Sequence, residues 1–206
     1  MLNMLARAGV TRVVSPLARA LLRLGVSPDA VTVVGTLGVC VGALAFYPRG
    51  EFFVGSVVAT VFVFSDMVDG TMARLSGRSS RWGAFLDSTL DRVADAALFG
   101  GLVLWYAREG QPLEAGLALF CLVVGILTSY TKARAEGLGM TADVGIAERS
   151  ERLIVVLLAV GLAGLGVPYI LPAGLWLLAV AGVVTVGQRM IAVRRQALAD
   201  RPGGNG

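Results

Sequence analysis

Long apolar runs alternate with short polar breaks along most of the chain. Runs able to cross about 30 Å of hydrocarbon, roughly 20 residues each as helix, fall at 30–48, 52–69, 83–107, 113–131, 153–171 and 173–193. Between them lie Pro48-Arg49-Gly50, the basic stretch 74–82, Arg108 to Pro112, the polar loop 132–152 and the corner from Val167-Pro168 to Pro172. Each break carries helix-stopping Pro, Gly or charge. The pattern predicts an all-α integral membrane protein with six transmembrane helices. No break is long enough for another domain, so 1–206 reads as one membrane-embedded unit, with the bundle at 28–195 and a tail at 196–206.

The first 24 residues follow a different pattern. On a helical wheel Arg12, Arg19 and Arg23 share one face, while Val10, Val13, Val14, Leu17, Leu21 and Leu24 share the other. That predicts a juxtamembrane amphipathic helix over 1–24, lying on the membrane with its arginines toward anionic head groups. No small-residue cleavage site follows, which argues against a signal peptide. Ser15-Pro16 and Ser27-Pro28 each look like an N-cap with Pro at the first helical position.

Composition agrees with a membrane protein: 56% hydrophobic residues, a mean hydropathy of +0.76 and 27 Gly. Of the 18 Lys and Arg, only Arg49 and Arg108 fall in odd-numbered loops. The positive-inside bias therefore puts both termini in the cytoplasm, and the protein is expected in the plasma membrane as a multi-pass chain. Cys40 and Cys121 sit mid-span and read as small hydrophobes. The chain has no His, which excludes Ser-His and Cys-His nucleophilic pairs and the usual zinc ligand sets.

Against this apolar background, residues 66–95 read DMVDGTMARLSGRSSRWGAFLDSTLDRVAD. Ionisable residues in membrane helices are costly and by default functional. Asp66 and Asp69 are three apart and Asp87 and Asp91 four apart, so each pair shares a helix face. The two helices are antiparallel neighbours joined by one turn, which lets four carboxylates converge. Clustered anions must take up protons or hold cations, and an oxygen-only donor set selects Mg²⁺ or Mn²⁺ beside a substrate phosphate. Ion pairs with Arg74, Arg81 and Arg92 are the structural alternative. Gly70, Gly77 and Gly83 serve either close helix packing or backbone approach by a ligand. Arg74 is placed to hold a diphosphate, and Ser79 and Ser80 offer hydroxyls at the turn.

Asp66-x2-Asp69-Gly70-x2-Ala73-Arg74-x8-Gly83-x3-Asp87-x3-Asp91 resembles the signature of the CDP-alcohol phosphatidyltransferases at every fixed position. The resemblance implies six transmembrane helices after a juxtamembrane helix, a homodimer, and transfer of a phosphatidyl group from a CDP-linked lipid to an alcohol with release of CMP. It implies that Asp66, Asp69, Asp87 and Asp91 bind two divalent ions, Mg²⁺ or Mn²⁺, with Asp91 also the general base. Gly70, Arg74 and Ser80 would contact the nucleotide, with Gly83 close by, and Asp29 and Thr32 match the nucleotide-contacting segment at the first span. Many members carry Asn where this chain has Asp29.

The stretches LLRLGVSPDAVT, SYTKARAEGLG, ERSERL and GQR are similar to the actinobacterial phosphatidylinositol phosphate synthases within that family. On this resemblance CDP-diacylglycerol and an inositol phosphate are the expected substrates, with membrane lipids as surroundings and no nucleic acid partner. Lys132, Arg149, Arg152 and Arg189 are then the candidate binders of the acceptor's phosphate. The competing expectations are phosphatidylglycerophosphate synthesis from glycerol 3-phosphate and, from another class, a divalent-cation transporter or a lipid-binding scaffold.

Overall fold

The computed structural model describes residues 14–77 and 80–199, and every regular element among them is a helix. A first helix, α1, covers 14–23. It is followed by α2 (Pro28–Phe46), a 3-10 turn (Tyr47–Arg49), α3 (Phe52–Val63), α4 (Ser65–Ser76), α5 (Arg81–Arg108), α6 (Pro112–Glu136), α7 (Arg149–Gly164) and α8 (Ile170–Ala199). Val10, Arg12, Val13 and Ser79 lie outside the described residues, as does the tail from 200 onward.

The long helices close a ring. α2 packs on α3 and α5, α5 on α6, α6 on α8, α8 on α7, and α7 back on α3, while α4 returns against α2. Val39, Ala43, Tyr47, Leu98, Leu102 and Leu175 belong to the buried core of this ring. The outer faces stay apolar, with Val34, Val61, Leu104, Ile154, Leu177 and Val180 exposed. A continuous greasy exterior of this kind suits lipid contact.

Small residues set the helix separations. A Cβ on Gly55 of α3 would lie 2.7 Å from the Gly42 carbonyl oxygen of α2, and one on Gly42 would lie 2.9 Å from the Ala59 nitrogen. The two backbones are in direct contact, the close approach that small residues allow in membrane bundles.

Four helical stretches are long and apolar enough to cross a membrane: Pro28–Arg49, Phe52–Ser76, Pro112–Glu136 and Ile170–Ala199. The two other spans expected from the sequence differ from them for identifiable reasons. α5 carries Asp87, Asp91, Arg92 and Asp95 between its start and its midpoint region. The run expected at 153–171 stops at Gly164, ended by Gly166 at φ +87° and a turn through Pro168. Its 16 residues span only about 24 Å at the helical rise.

The second expected span, 52–69, is also redrawn. It runs on to Ser76 but is broken at Phe64 into α3 and α4. Ser65 Oγ donates to the Phe62 carbonyl oxygen at 2.6 Å, a side-chain bond to backbone of the kind that bends helices. Gly35 of α2 makes room for this junction, since a Cβ there would collide with Ser65 Oγ.

Ser27 caps α2 as expected, accepting from the Ala30 N–H at 3.2 Å with Pro28 in the first turn. Ser15 does not begin a helix, because α1 is already helical at residue 14. The apolar face expected of α1 divides. Val14 and Leu21 turn inward with Ala18 against Val68 and Met72 of α4, while Leu17 and Leu24 remain 52% and 78% exposed.

Replacing Gly55 by Val forces the α2–α3 backbones apart, and overpacking of this kind costs about 1–3 kcal/mol. The expected outcome is a lowered thermal-unfolding midpoint in detergent for Gly55→Val, with Gly70→Ala, which has open space at its Cβ, unchanged within error.

Candidate active site

The start of α2, the body of α4 and the first turns of α5 meet at one end of the bundle around a cavity of about 460 Å³. Asp66 and Asp69 enter it from α4, Asp87 and Asp91 from α5, and Asp29 and Thr32 from α2. The bend at Phe64 starts a new helix one residue before Asp66. Asp69 is only 6% exposed, and Thr32 Oγ1 donates to its Oδ2 at 2.6 Å. That bond holds one carboxylate oxygen in place from a second helix.

The glycines separate by role. Gly70 lines the cavity and has no atom within 4 Å of an added Cβ, so it leaves the backbone open rather than packing a helix. Gly77, at φ +63°, ends α4 in the left-handed conformation, its N–H reaching Ala73 and Arg74 carbonyls. Gly83 donates its N–H at 2.9 Å to Ser80 Oγ, the N-cap of α5. A Cβ on Gly83 would lie 3.7 Å from Asp29 Oδ1, so the α2 and α5 starts approach closely. Ser80 lines the same cavity, whereas Arg74 is exposed and donates to Thr71 Oγ1 at 3.1 Å.

The acids do not stand alone. One nitrogen, Arg149 Nη1, lies 3.2 Å from Asp66 Oδ2 and 2.7 Å from Asp91 Oδ1, so a guanidinium from α7 bridges the two acidic helices. Arg92 reaches Asp91 at 3.5 Å. Of the three arginines weighed as structural partners, Arg92 alone forms such a pair among the described residues. With Arg149 in this position, no three acidic or other ligating side chains among the described residues are grouped closely enough to hold a metal ion. The donor chemistry nevertheless suits a hard cation: carboxylate oxygens face one cavity, and a positive nitrogen lies between two of them.

A second cavity of about 420 Å³ opens beside the first, between α5, α6, α7 and α8. Asp91, Arg149 and Ala84 line both. Its other walls carry Lys132, Arg152, Arg189 and Arg92, so all four residues expected to meet an acceptor phosphate face this space. They differ in how free they are. Lys132 is ion-paired with Asp143, and that ammonium holds the Asp143 carboxyl below its ordinary range. Arg152, 4% exposed, donates to the Ala147 carbonyl oxygen at 3.3 Å. Arg189 donates to the Val144 and Thr128 carbonyl oxygens at 2.9 and 2.5 Å, so much of its hydrogen-bonding capacity is spent on backbone.

Those bonds pin the loop between α6 and α7 onto α8. Gln196 accepts from the Thr141 N–H at 2.9 Å and donates to the Thr141 carbonyl at 2.6 Å. The Ala147 N–H donates to Thr185 Oγ1 at 3.1 Å. The loop expected from its polar composition is thus tied down to α8, and Glu148 at its end lines the second cavity. The sequence reading also passed over Asp95, which lies one helical turn beyond Asp91. Its spacing continues the Asp87, Asp91 series by four, and that stripe was the available signal.

A model of the CDP-alcohol phosphatidyltransferase family matches residues 25–187. A phosphatidylinositol phosphate synthase of Streptomyces avermitilis is 56% identical over 204 residues, covering 95% of this chain and 84% of that protein. The phosphatidylinositol phosphate synthase of Mycobacterium tuberculosis is 46% identical over 197 residues, covering 93% and 90%. The fold is similar to a crystal structure of the M. tuberculosis enzyme with CDP-DAG bound, at 44% identity and a TM-score of 0.84 over 95% of this chain and 98% of that one. A crystal structure of that enzyme in complex with manganese and citrate is also similar, at 44% identity and a TM-score of 0.84, covering 94% and 92%.

Thr32→Val keeps the shape of the side chain but leaves Asp69 without its hydroxyl donor. A buried charged group deprived of a partner costs about 1–3 kcal/mol. Thermal unfolding should therefore show a clear loss for Thr32→Val and recovery for Thr32→Ser, which restores the hydroxyl.

Proposed function

The chain belongs to the CDP-alcohol phosphatidyltransferase family, and from that premise we propose that it joins CDP-diacylglycerol to an inositol phosphate, giving phosphatidylinositol phosphate and CMP. One observation carries the reading: Asp91 and Arg149 form a common wall between an acid-lined cavity and a cation-lined one. A reaction between a CDP-linked lipid and a phosphorylated alcohol needs two such spaces and a base where they meet.

Asp66, Asp69, Asp87 and Asp91 would hold the divalent ions, two Mg²⁺ or Mn²⁺. When bound, such ions neutralise a diphosphate and stabilise charge developing on a leaving phosphate. The chain's own residues do the rest. Asp29, Thr32, Gly70 and Ser80 shape the first cavity around the nucleotide, with Gly83 permitting close approach. Arg74, exposed beside that cavity, meets the diphosphate as the CDP-lipid enters. Lys132, Arg149, Arg152 and Arg189 attract the acceptor's phosphate in the second cavity and aim an inositol hydroxyl toward Asp91. Asp91 takes the proton from that hydroxyl. The freed oxygen attacks the phosphorus bearing diacylglycerol in line, and the bond from that phosphorus to the oxygen of CMP breaks.

The membrane arrangement follows. We read α5 and α7 as crossing the bilayer with the four long apolar helices, a reading supported by their being flanked in the ring by those helices. On this reading 28–195 form one six-helix bundle, α8 runs beyond the expected tail boundary to Ala199, and the segment expected on the membrane surface is described from residue 14. The concentration of Lys and Arg in the loops expected at the end bearing both cavities supports a cytoplasmic orientation for that end and for both termini. The plasma membrane is the proposed location and a homodimer the proposed assembly. A transporter would need acids along a path through the bundle, whereas these acids gather at one end.

CMP release from CDP-diacylglycerol, measured on detergent-purified protein with Mg²⁺, tests the reading when inositol phosphate, free inositol and glycerol 3-phosphate are offered separately. Release with inositol phosphate alone supports it. Release with glycerol 3-phosphate alone would keep the reaction and replace the acceptor, and release with none would refute catalysis of this transfer. Loss of a general base commonly costs about 10²–10⁴-fold, so Asp91→Asn should retain CDP-lipid binding and lose turnover by that order. Lys132→Ala should raise KM for inositol phosphate with a smaller change in kcat; an unchanged KM would remove Lys132 from the acceptor site.

A further inference from the structure

Three of the arginines that line the second cavity share one anion, and that anion does not line the cavity itself. Asp95 is 4% exposed. Its Oδ2 lies 3.5 Å from Arg152 Nη2 and 3.7 Å from Arg92 Nε, and its Oδ1 lies 3.5 Å from Arg149 Nε. Among the described residues the buried Nε atoms of Arg92 and Arg149 have no hydrogen-bond partner, and Asp95 is the acid nearest each.

The three cations depend on it unequally. Arg149 has Asp66 and Asp91 as further partners, and Arg92 has Asp91. Arg152 pairs with no other carboxylate among the described residues; its remaining bond is to the Ala147 carbonyl oxygen. Burying a guanidinium without a counter-ion costs several kcal/mol. Gly125 of α6 provides the space, with an added Cβ only 3.4 Å from Arg152 Nε. The arginine thus lies between a glycine notch and a buried acid, with its orientation set from behind.

We propose that Asp95 is a positioning residue for the phosphorylated acceptor: it aims Arg152, and with it Arg149 and Arg92, into the second cavity, and so sets the enzyme's preference for an acceptor that carries a phosphate. This rests on the reading of that cavity as the acceptor site. Asp95 touches neither substrate. It offsets part of the repulsion among cations gathered in one small space, and it fixes which way their donors point. Hydrogen bonds to charged groups are worth enough that misdirecting one weakens binding by on the order of tenfold.

The test compares wild type, Asp95→Asn, Asp95→Glu and Arg152→Ala as full-length protein in detergent, following CMP release while inositol phosphate and CDP-diacylglycerol are varied separately. The expected result for Asp95→Asn is a rise of about tenfold in KM for inositol phosphate, with KM for CDP-diacylglycerol within about twofold of wild type. Asp95→Glu, which keeps the charge, should recover part of the loss. A raised acceptor KM in Arg152→Ala beside an unchanged one in Asp95→Asn would overturn the positioning role and leave the acceptor site standing. Unchanged acceptor KM in both would overturn the positioning role and the acceptor reading together. An Asp95→Asn protein that fails to fold, beside a folded Asp95→Glu protein with wild-type KM, would make Asp95 a structural counter-ion and likewise overturn it.

Discussion

Everything at the working end of this bundle is constrained by the cost of burying charge among apolar helices. Acids on α4 and α5 face cations on α5 and α7 across a few ångströms, in a protein whose long helices are apolar on their outer faces. Neither set could be buried alone. Arg149 is where they meet: one of its nitrogens lies between Asp66 and Asp91, while its Nε faces Asp95. Because α7 supplies that residue, the acidic hairpin is tied electrostatically to a helix that joins it only through the ring.

The backbone supplies what the charges need. The bend at Phe64 gives the acidic part of the second apolar run its own helix, and Ser65 and Gly35 supply the bond and the space for it. Close contact between α2 and α3 at Gly42 and Gly55 brings the start of α2 over that helix, where Thr32 reaches Asp69. The α6–α7 loop is held down on α8 by Thr185, Arg189 and Gln196. Preorganisation of this kind spares a binding site the entropy of ordering it later.

Local signals were legible where one element decided the outcome. Ser27-Pro28 marked the start of α2, the spacing of Asp66, Asp69, Asp87 and Asp91 marked two acidic faces, and the four long apolar helices were each anticipated. The convergence of the two acidic faces was legible because one short turn joins their helices, whereas features that depend on elements distant in the chain were not. The break at Phe64 depends on Ser65 and on a glycine from α2. The early end of α7 depends on a turn that hydropathy reads straight through. The inward turn of Val14 and Leu21 depends on Val68 and Met72 being close. Arg149 and Arg189 looked alike as cytoplasmic-end cations, yet one bridges carboxylates and the other holds loop carbonyls, a difference set by partners far away in the chain.

The same distinction explains the position of Asp91. An acid in one cavity can bind a cation and an acid in another can accept a proton, but a base for transfer between two bound molecules has to face both. On the proposed reading α5 meets that need with Asp91, which lines both cavities, with Asp87 on the side of the first and Arg92 and Ser88 on the side of the second. One turn further in, the stripe ends at Asp95, which no longer faces either cavity and instead meets the arginines behind them. Along these nine residues a single helical periodicity passes from the first cavity, through the shared wall, to the buried Asp95. The order of roles along α5 therefore follows depth in the bundle.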